Sequence, residues 1–139
     1  MNPVRNIDLR TIKPIWALRL TLGIMYVYTG VDFLRTPEHW YGFTPPWLSQ
    51  LILTIFPSMD AYLRTQGVGE LLLGIAFLAW FFPLVVVRIA AFLSALEMAL
   101  ILLVVGIDLI TFRDIPILGA SLAVFLLTFQ KHGSTAKQV

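Results

Sequence analysis

The chain has 139 residues, room for one domain, and is 58% hydrophobic and 13% charged with a net charge of +2. Soluble domains carry roughly 45–50% apolar and about 25% charged residues, so this composition, with a mean hydropathy of +0.84, is that of an integral membrane protein. Basic residues at segment ends rather than along one stripe argue against nucleic acid as a partner, and the lack of cysteine removes disulfides, thiol relays, iron–sulfur clusters and Cys-based zinc sites.

Residues 1–13 form a basic, polar arm with Arg5, Arg10 and Lys13, and Pro14 suits the first turn of a helix, where its missing N–H costs nothing. A first span is predicted over about 15–34. It is long enough for the ~30 Å hydrocarbon core and no small-x-small cleavage motif follows it, so it reads as a retained span rather than a signal peptide. Arg19, Gly23, Tyr26 and Gly30 share one helical face. Small residues beside a charge and a phenol suit a helix–helix contact rather than a lipid face. Asp32 lies near the far end.

Residues 35–66 make the longest non-spanning stretch. Thr36–Pro46 is loop by its prolines and carries interfacial aromatics. From Trp47 the apolar positions Leu48, Leu51, Ile52, Ile55, Phe56, Met59, Tyr62 and Leu63 recur at helical spacing. The stretch 47–63 is too polar to span and is interrupted by Pro57, so it is predicted as an amphipathic helix in the interface or across the bundle mouth. A second span follows over about 66–82 and a tight connection at Pro83. The third covers about 84–107, with Arg88 near its start and Glu97 near its middle. The fourth, about 115–129, is short, and the tail from 130 is polar.

Arg5, Arg10, Lys13, Arg88, Lys131 and Lys137 gather on one side, against Arg35, Arg64 and Arg113 on the other. Both termini are therefore expected in the cytoplasm and residues 36–66 on the outer side. A faint echo of Leu72–Leu78 in Ile117–Ala123, with Arg19 and Arg88 opening their spans, suggests two helical hairpins in parallel repeat. The expected fold is all-α: a four-helix membrane bundle with an extra amphipathic interfacial helix between spans one and two.

A charge at the centre of a membrane helix costs roughly 2.5–3.5 kcal/mol on insertion scales and seeks a partner inside the bundle. At ~1.5 Å per residue, Asp32 and Glu70 fall at a common outer level flanked by Arg64, Arg113 and Asp114, with Glu97 about 15 Å from the outer end of span three. The candidate site is a polar pocket of Asp32, Glu70 and Glu97, with Arg19, Tyr26, Arg113 and Asp114 nearby. Tyr26, Tyr28 and the loop aromatics would supply its apolar surface. Two neighbouring carboxyls suit a proton relay or quinol deprotonation. The competing structural roles are anchoring of Asp32 and Glu70 by Arg35, Arg64 or Arg113, clamping of backbone or headgroup by Arg19, and helix packing by the glycines. His39 and His132 lie outside the apolar runs, so no intramembrane pair ligates a haem, and no metal site is expected.

Several stretches in order resemble the DoxX-like family of small four-span membrane proteins. They are Arg19-Leu-Thr-Leu-Gly23 with Thr29-Gly30-Val-Asp32-Phe-Leu, then Gly67-x-x-Glu70-Leu-x-x-Gly74. Arg88-Ile-Ala-Ala and Phe112-Arg113-Asp114-Ile-x-Ile-Leu-Gly119-Ala complete the set. Together they cover most of the chain. The family often has a basic residue shortly after the glycine matching Gly30; here Phe33 stands there and Arg35 follows. The resemblance implies a four-helix membrane bundle and, more loosely, a redox role. The leading expectation is a small cytoplasmic-membrane subunit that binds a lipophilic ligand such as quinone or supports a redox partner. A non-catalytic scaffold or assembly factor and a proton-coupled small transporter are the alternatives. The partners expected are the lipid bilayer, a membrane or redox protein, and a second copy of the chain in a homo-oligomer.

Overall fold

Prolines and one capping serine set the helix boundaries in the computed structural model, which describes residues 14–109 and 111–130. The basic arm, the last residues from Lys131 and His132 onward, and Ile110 lie outside that description. Helix α1 runs Pro14–Arg35, α2 Pro46–Ile55, α3 Met59–Leu78, α4 Leu84–Val104 and α5 Asp114–Leu127, with 3₁₀ turns at Pro37–Phe43 and Thr111–Arg113. The described chain is all-helical. Two helices, α1 and α4, are long and apolar enough to cross a membrane. The first twelve residues of α3 hold Asp60, Arg64, Gln66 and Glu70, and α5 has 14 residues.

The amphipathic stretch 47–63 is two helices rather than one. Pro57 forces the preceding Phe56 into extended backbone (φ −106°, ψ 145°) and α2 stops there. Ser58 then caps a new helix by accepting from the Ala61 N–H at 3.1 Å. Met59, Tyr62 and Leu63 therefore belong to α3. Glu70, expected near the mouth of a span beginning at 66, stands in the middle of a helix that begins at 59. At the other end of the sequence α4 stops three residues short of the predicted 107, because Gly106 takes a left-handed backbone (φ 89°) just past its last turn. Asp108 and Thr111 then exchange hydrogen bonds, each side chain accepting from the other's backbone N–H at 2.8 Å.

The helices pair as two hairpins, α1 along α3 and α4 along α5, which meet more lightly through α1 with α5 and α3 with α4. Glycines set the first pairing. A β-carbon at Gly30 would stand 2.9 Å from the Gly67 carbonyl oxygen, and one at Gly74 would stand 3.1 Å from that of Gly23. The two backbones thus touch at two crossings, an arrangement open only to small residues. Between the hairpins Leu22, Tyr26, Phe77, Val87, Ala91 and Val124 form the buried core.

Each hairpin is closed at the same end by an arginine. Arg19 of α1 donates from Nε to the Phe77 carbonyl at 2.8 Å and from Nη2 to that of Ala79 at 2.9 Å. Arg88 of α4 donates from Nη2 to the Thr128 carbonyl at 2.9 Å and from Nε to its hydroxyl at 3.1 Å. Ala79 and Thr128 are the C-caps of α3 and α5, so both guanidiniums satisfy carbonyls that a helix end leaves free, and both complement its negative pole. Each also lies over a ring, Arg19 over Trp16 and Arg88 over Phe129. This shared device is the structural counterpart of the faint sequence echo.

Candidate functional site

Four of the helices contribute polar side chains to one cluster where the hairpins meet. Glu70 (α3) and Glu97 (α4) both border one cavity, on facing helices. Thr29 of α1 donates to Glu70 Oε2 at 2.8 Å. The Gln66 amide, one turn before Glu70, donates to Glu97 Oε1.

Behind Glu97 a file of hydroxyls leads away to α5. Tyr26 bonds Ser94 at 2.7 Å, Ser94 bonds Ser121 at 2.6 Å, and Ser121 donates to the Ile117 carbonyl at 2.9 Å. The Tyr26 hydroxyl also stands 3.4 Å from Glu97 Oε2, to which it can donate. The file is blind at its inner end, and Tyr26, Ser94 and Ser121 are fully buried. Every buried side-chain polar atom among the described residues has a partner, as the cost of an unmet buried group requires.

On its other side the pair borders a cavity of about 1660 Å³. Leu72, Leu73 and Ala76 of α3 and Val86, Ile89 and Leu93 of α4 form an apolar wall, and Phe33, Trp40, Phe43 and Tyr62 line the outer end. The turn Pro37–Phe43 is held over that end by Asp32, which accepts from Trp40 Nε1 at 2.7 Å and Thr36 Oγ1 at 2.8 Å, with His39 Nδ1 at 3.6 Å. Trp40 lies between Phe33 and Phe43, tilted against both rings. Tyr41 of the same turn donates to Asp60 at the start of α3. Donation to a carboxylate holds the Tyr41 phenol above its ordinary pKa.

The candidate residues are thus distributed over three places. Glu70, Glu97 and Tyr26 come together, with Tyr26 behind the pair rather than on the cavity wall. Asp32 lines the cavity but is engaged with the covering turn, and Arg113 and Asp114 lie on the cavity's edge. Arg19 is at the opposite end, bonded to backbone. Neither Asp32 nor Glu70 is paired with an arginine among the described residues; Arg64 instead donates to the Leu34 carbonyl at 2.8 Å. Thr29, Gln66, Ser94 and Ser121 complete the cluster. Three of them were open to detection, since Thr29 follows Tyr26 by three positions, Gln66 precedes Glu70 by four and Ser94 precedes Glu97 by three, all spacings that share a helix face. No family model, curated protein or solved structure matches the chain.

Proposed function

We propose that the chain is a four-span protein of the cytoplasmic membrane, similar in kind to the DoxX-like proteins, that binds a quinone-type lipid in the cavity between α3 and α4. The observation that carries this reading is the position of Glu70 and Glu97: a carboxyl pair without an arginine partner, set at the end of a long apolar groove. A hydrophobic pocket with a few convergent polar groups is the usual form of a small-molecule site. A ligand with an isoprenoid-like tail and a polar ring matches it part for part.

The membrane setting is supported by the outward faces of all four long helices, where Ile24, Ile75, Val85, Leu103 and Leu126 are exposed. A soluble monomer rarely leaves so much contiguous apolar surface in water. The two arginine clamps support an up-and-down course, since they bring the start of α1 to the end of α3 and the start of α4 to the end of α5. Positive charge at that end supports a cytoplasmic side for both termini. A scaffold or assembly role is the second reading, favoured by α2, whose Trp47, Leu51 and Ile55 are exposed on one short helix.

Titration of the purified protein with a short-chain quinone, oxidised and reduced, tests the first reading. Glu70→Gln is expected to weaken binding of the tighter form about tenfold, the loss of one charge-assisted hydrogen bond of roughly 1.5 kcal/mol. Equal affinity in wild type and variant would remove Glu70 from the site. A stoichiometric protein partner that co-purifies and is lost with Leu51 and Ile55 replaced by Ser would favour the scaffold.

A further inference from the structure

We propose that the cavity distinguishes the redox states of its ligand and prefers the hydroquinone to the quinone; this rests on the quinone reading above. The inference comes from counting what the carboxyl pair shows to the cavity. An oxidised quinone ring presents two carbonyl oxygens, which only accept hydrogen bonds. A hydroquinone presents two hydroxyls, which donate.

Around the pair the donors are already engaged. The Thr29 hydroxyl donates to Glu70 Oε2 and the Gln66 amide to Glu97 Oε1. The Tyr26 hydroxyl is engaged with Ser94 and Glu97 behind the pair and does not line the cavity. What the pair itself shows to the cavity is carboxyl oxygen. An ionised carboxylate has about four lone-pair positions, so Thr29 and Gln66 leave most of those on the pair unfilled.

A quinone carbonyl set against these oxygens brings acceptor to acceptor, and it is stripped of water without a donor in return. Leaving a polar group unpaired in this way weakens binding by about 5- to 150-fold. A hydroquinone hydroxyl in the same position donates to a carboxylate, the stronger class of hydrogen bond. No electron moves in this discrimination; it is an equilibrium preference. By linkage, each tenfold preference for the reduced form raises the two-electron potential of the bound couple by about 30 mV. Tyr62 carries another hydroxyl on the cavity wall and is the obvious competing source of a donor for a quinone.

The test is anaerobic titration of the full-length protein in nanodiscs with a short-chain benzoquinone and with its hydroquinone, followed by quenching of tryptophan fluorescence, since Trp40 lines the cavity. Wild type is expected to bind the hydroquinone at least tenfold more tightly. Glu70→Gln combined with Glu97→Gln, which supplies amide donors of the same shape, is expected to narrow or reverse the ratio, and Tyr62→Phe to leave it unchanged. Equal affinities in wild type, or tighter quinone, overturn the preference while leaving the site standing. A preference abolished by Tyr62→Phe and untouched by the double Gln variant overturns its assignment to the pair. Binding of neither form overturns the quinone reading and this inference with it.

Discussion

Gly67→Leu is expected to leave the chain without a stable fold, and Gly67→Ala to lower its stability by about 1–3 kcal/mol, the usual cost of overpacking. A β-carbon at Gly67 would lie 3.0 Å from the Gly30 carbonyl oxygen and 2.8 Å from Phe33 Cβ. Neither is the free end of a flexible side chain, so the strain is relieved only by moving α1 away from α3. That movement also draws Thr29 from Glu70, since Thr29 adjoins the crossing. The helix-propensity gain of Ala over Gly, about 1 kcal/mol, works in the opposite direction and provides the control. Gly119 of α5 has no neighbour within 4 Å of its would-be β-carbon, so Gly119→Ala is expected to stabilise by up to that amount. Thermal unfolding in detergent, followed by circular dichroism, reads both. A Gly67→Ala variant that melts no lower than wild type would mean that the two backbones do not touch there.

Arg19→Met is expected to cost about 3 kcal/mol, from two charge-assisted hydrogen bonds worth roughly 1.5–3 kcal/mol each, less the contribution of the apolar stem that Met retains. The arginine is 4% exposed, so the carbonyls of Phe77 and Ala79 have little water to turn to. Arg19→Lys should recover less than half, because a single ammonium lacks the planar fork that reaches two carbonyls at once. Arg88→Met is expected to cost less, since Arg88 is only half-buried. The two clamps share no partner, and the double variant should show the sum of the single losses within about 0.5 kcal/mol. Full recovery by lysine would reduce the clamp to a matter of charge. A double variant markedly worse than the sum would mean that the clamped ends support each other.

Helices α1, α4 and α5 were legible in the sequence to within a few residues because each is an apolar run whose start is marked, by Pro14, by Pro83 and by the polar stretch before Ile115. Helix α3 was not. Its apolar half looks like a complete short span, while its polar half, Asp60 to Glu70, continues the periodicity of α2 across Pro57. Periodicity alone does not reveal that the chain has turned. The same error of start displaced Glu70 to the mouth of its helix and grouped it with Asp32. Begun at Met59, the helix carries Glu70 about 16 Å inward at 1.5 Å per residue, to the level of Glu97. Asp32, one turn beyond Thr29, finds Trp40 and Thr36 on the following turn instead. The identity of the acidic residues was visible; which two would meet depended on a helix boundary hidden by polar sequence. The clamping by Arg19 was legible from a different consideration, that an arginine near a helix end has backbone within reach.

The paired clamps also bear on how the molecule can move. Each hairpin ties off its own helix end with its own arginine, and one of the two is further fused by glycine contacts, so neither relies on the other for its backbone hydrogen bonds. Besides the apolar core between them, the halves are joined by a few side-chain hydrogen bonds, Gln66 to Glu97 and Tyr26 to Ser94. In the quinone complex proposed above, a bulky tail would be admitted by tilting one hairpin against the other rather than by unwinding a helical turn. Those hydrogen bonds lie at the groove's end, so the ligand's head would settle where the two halves are sewn and would itself become one of the threads.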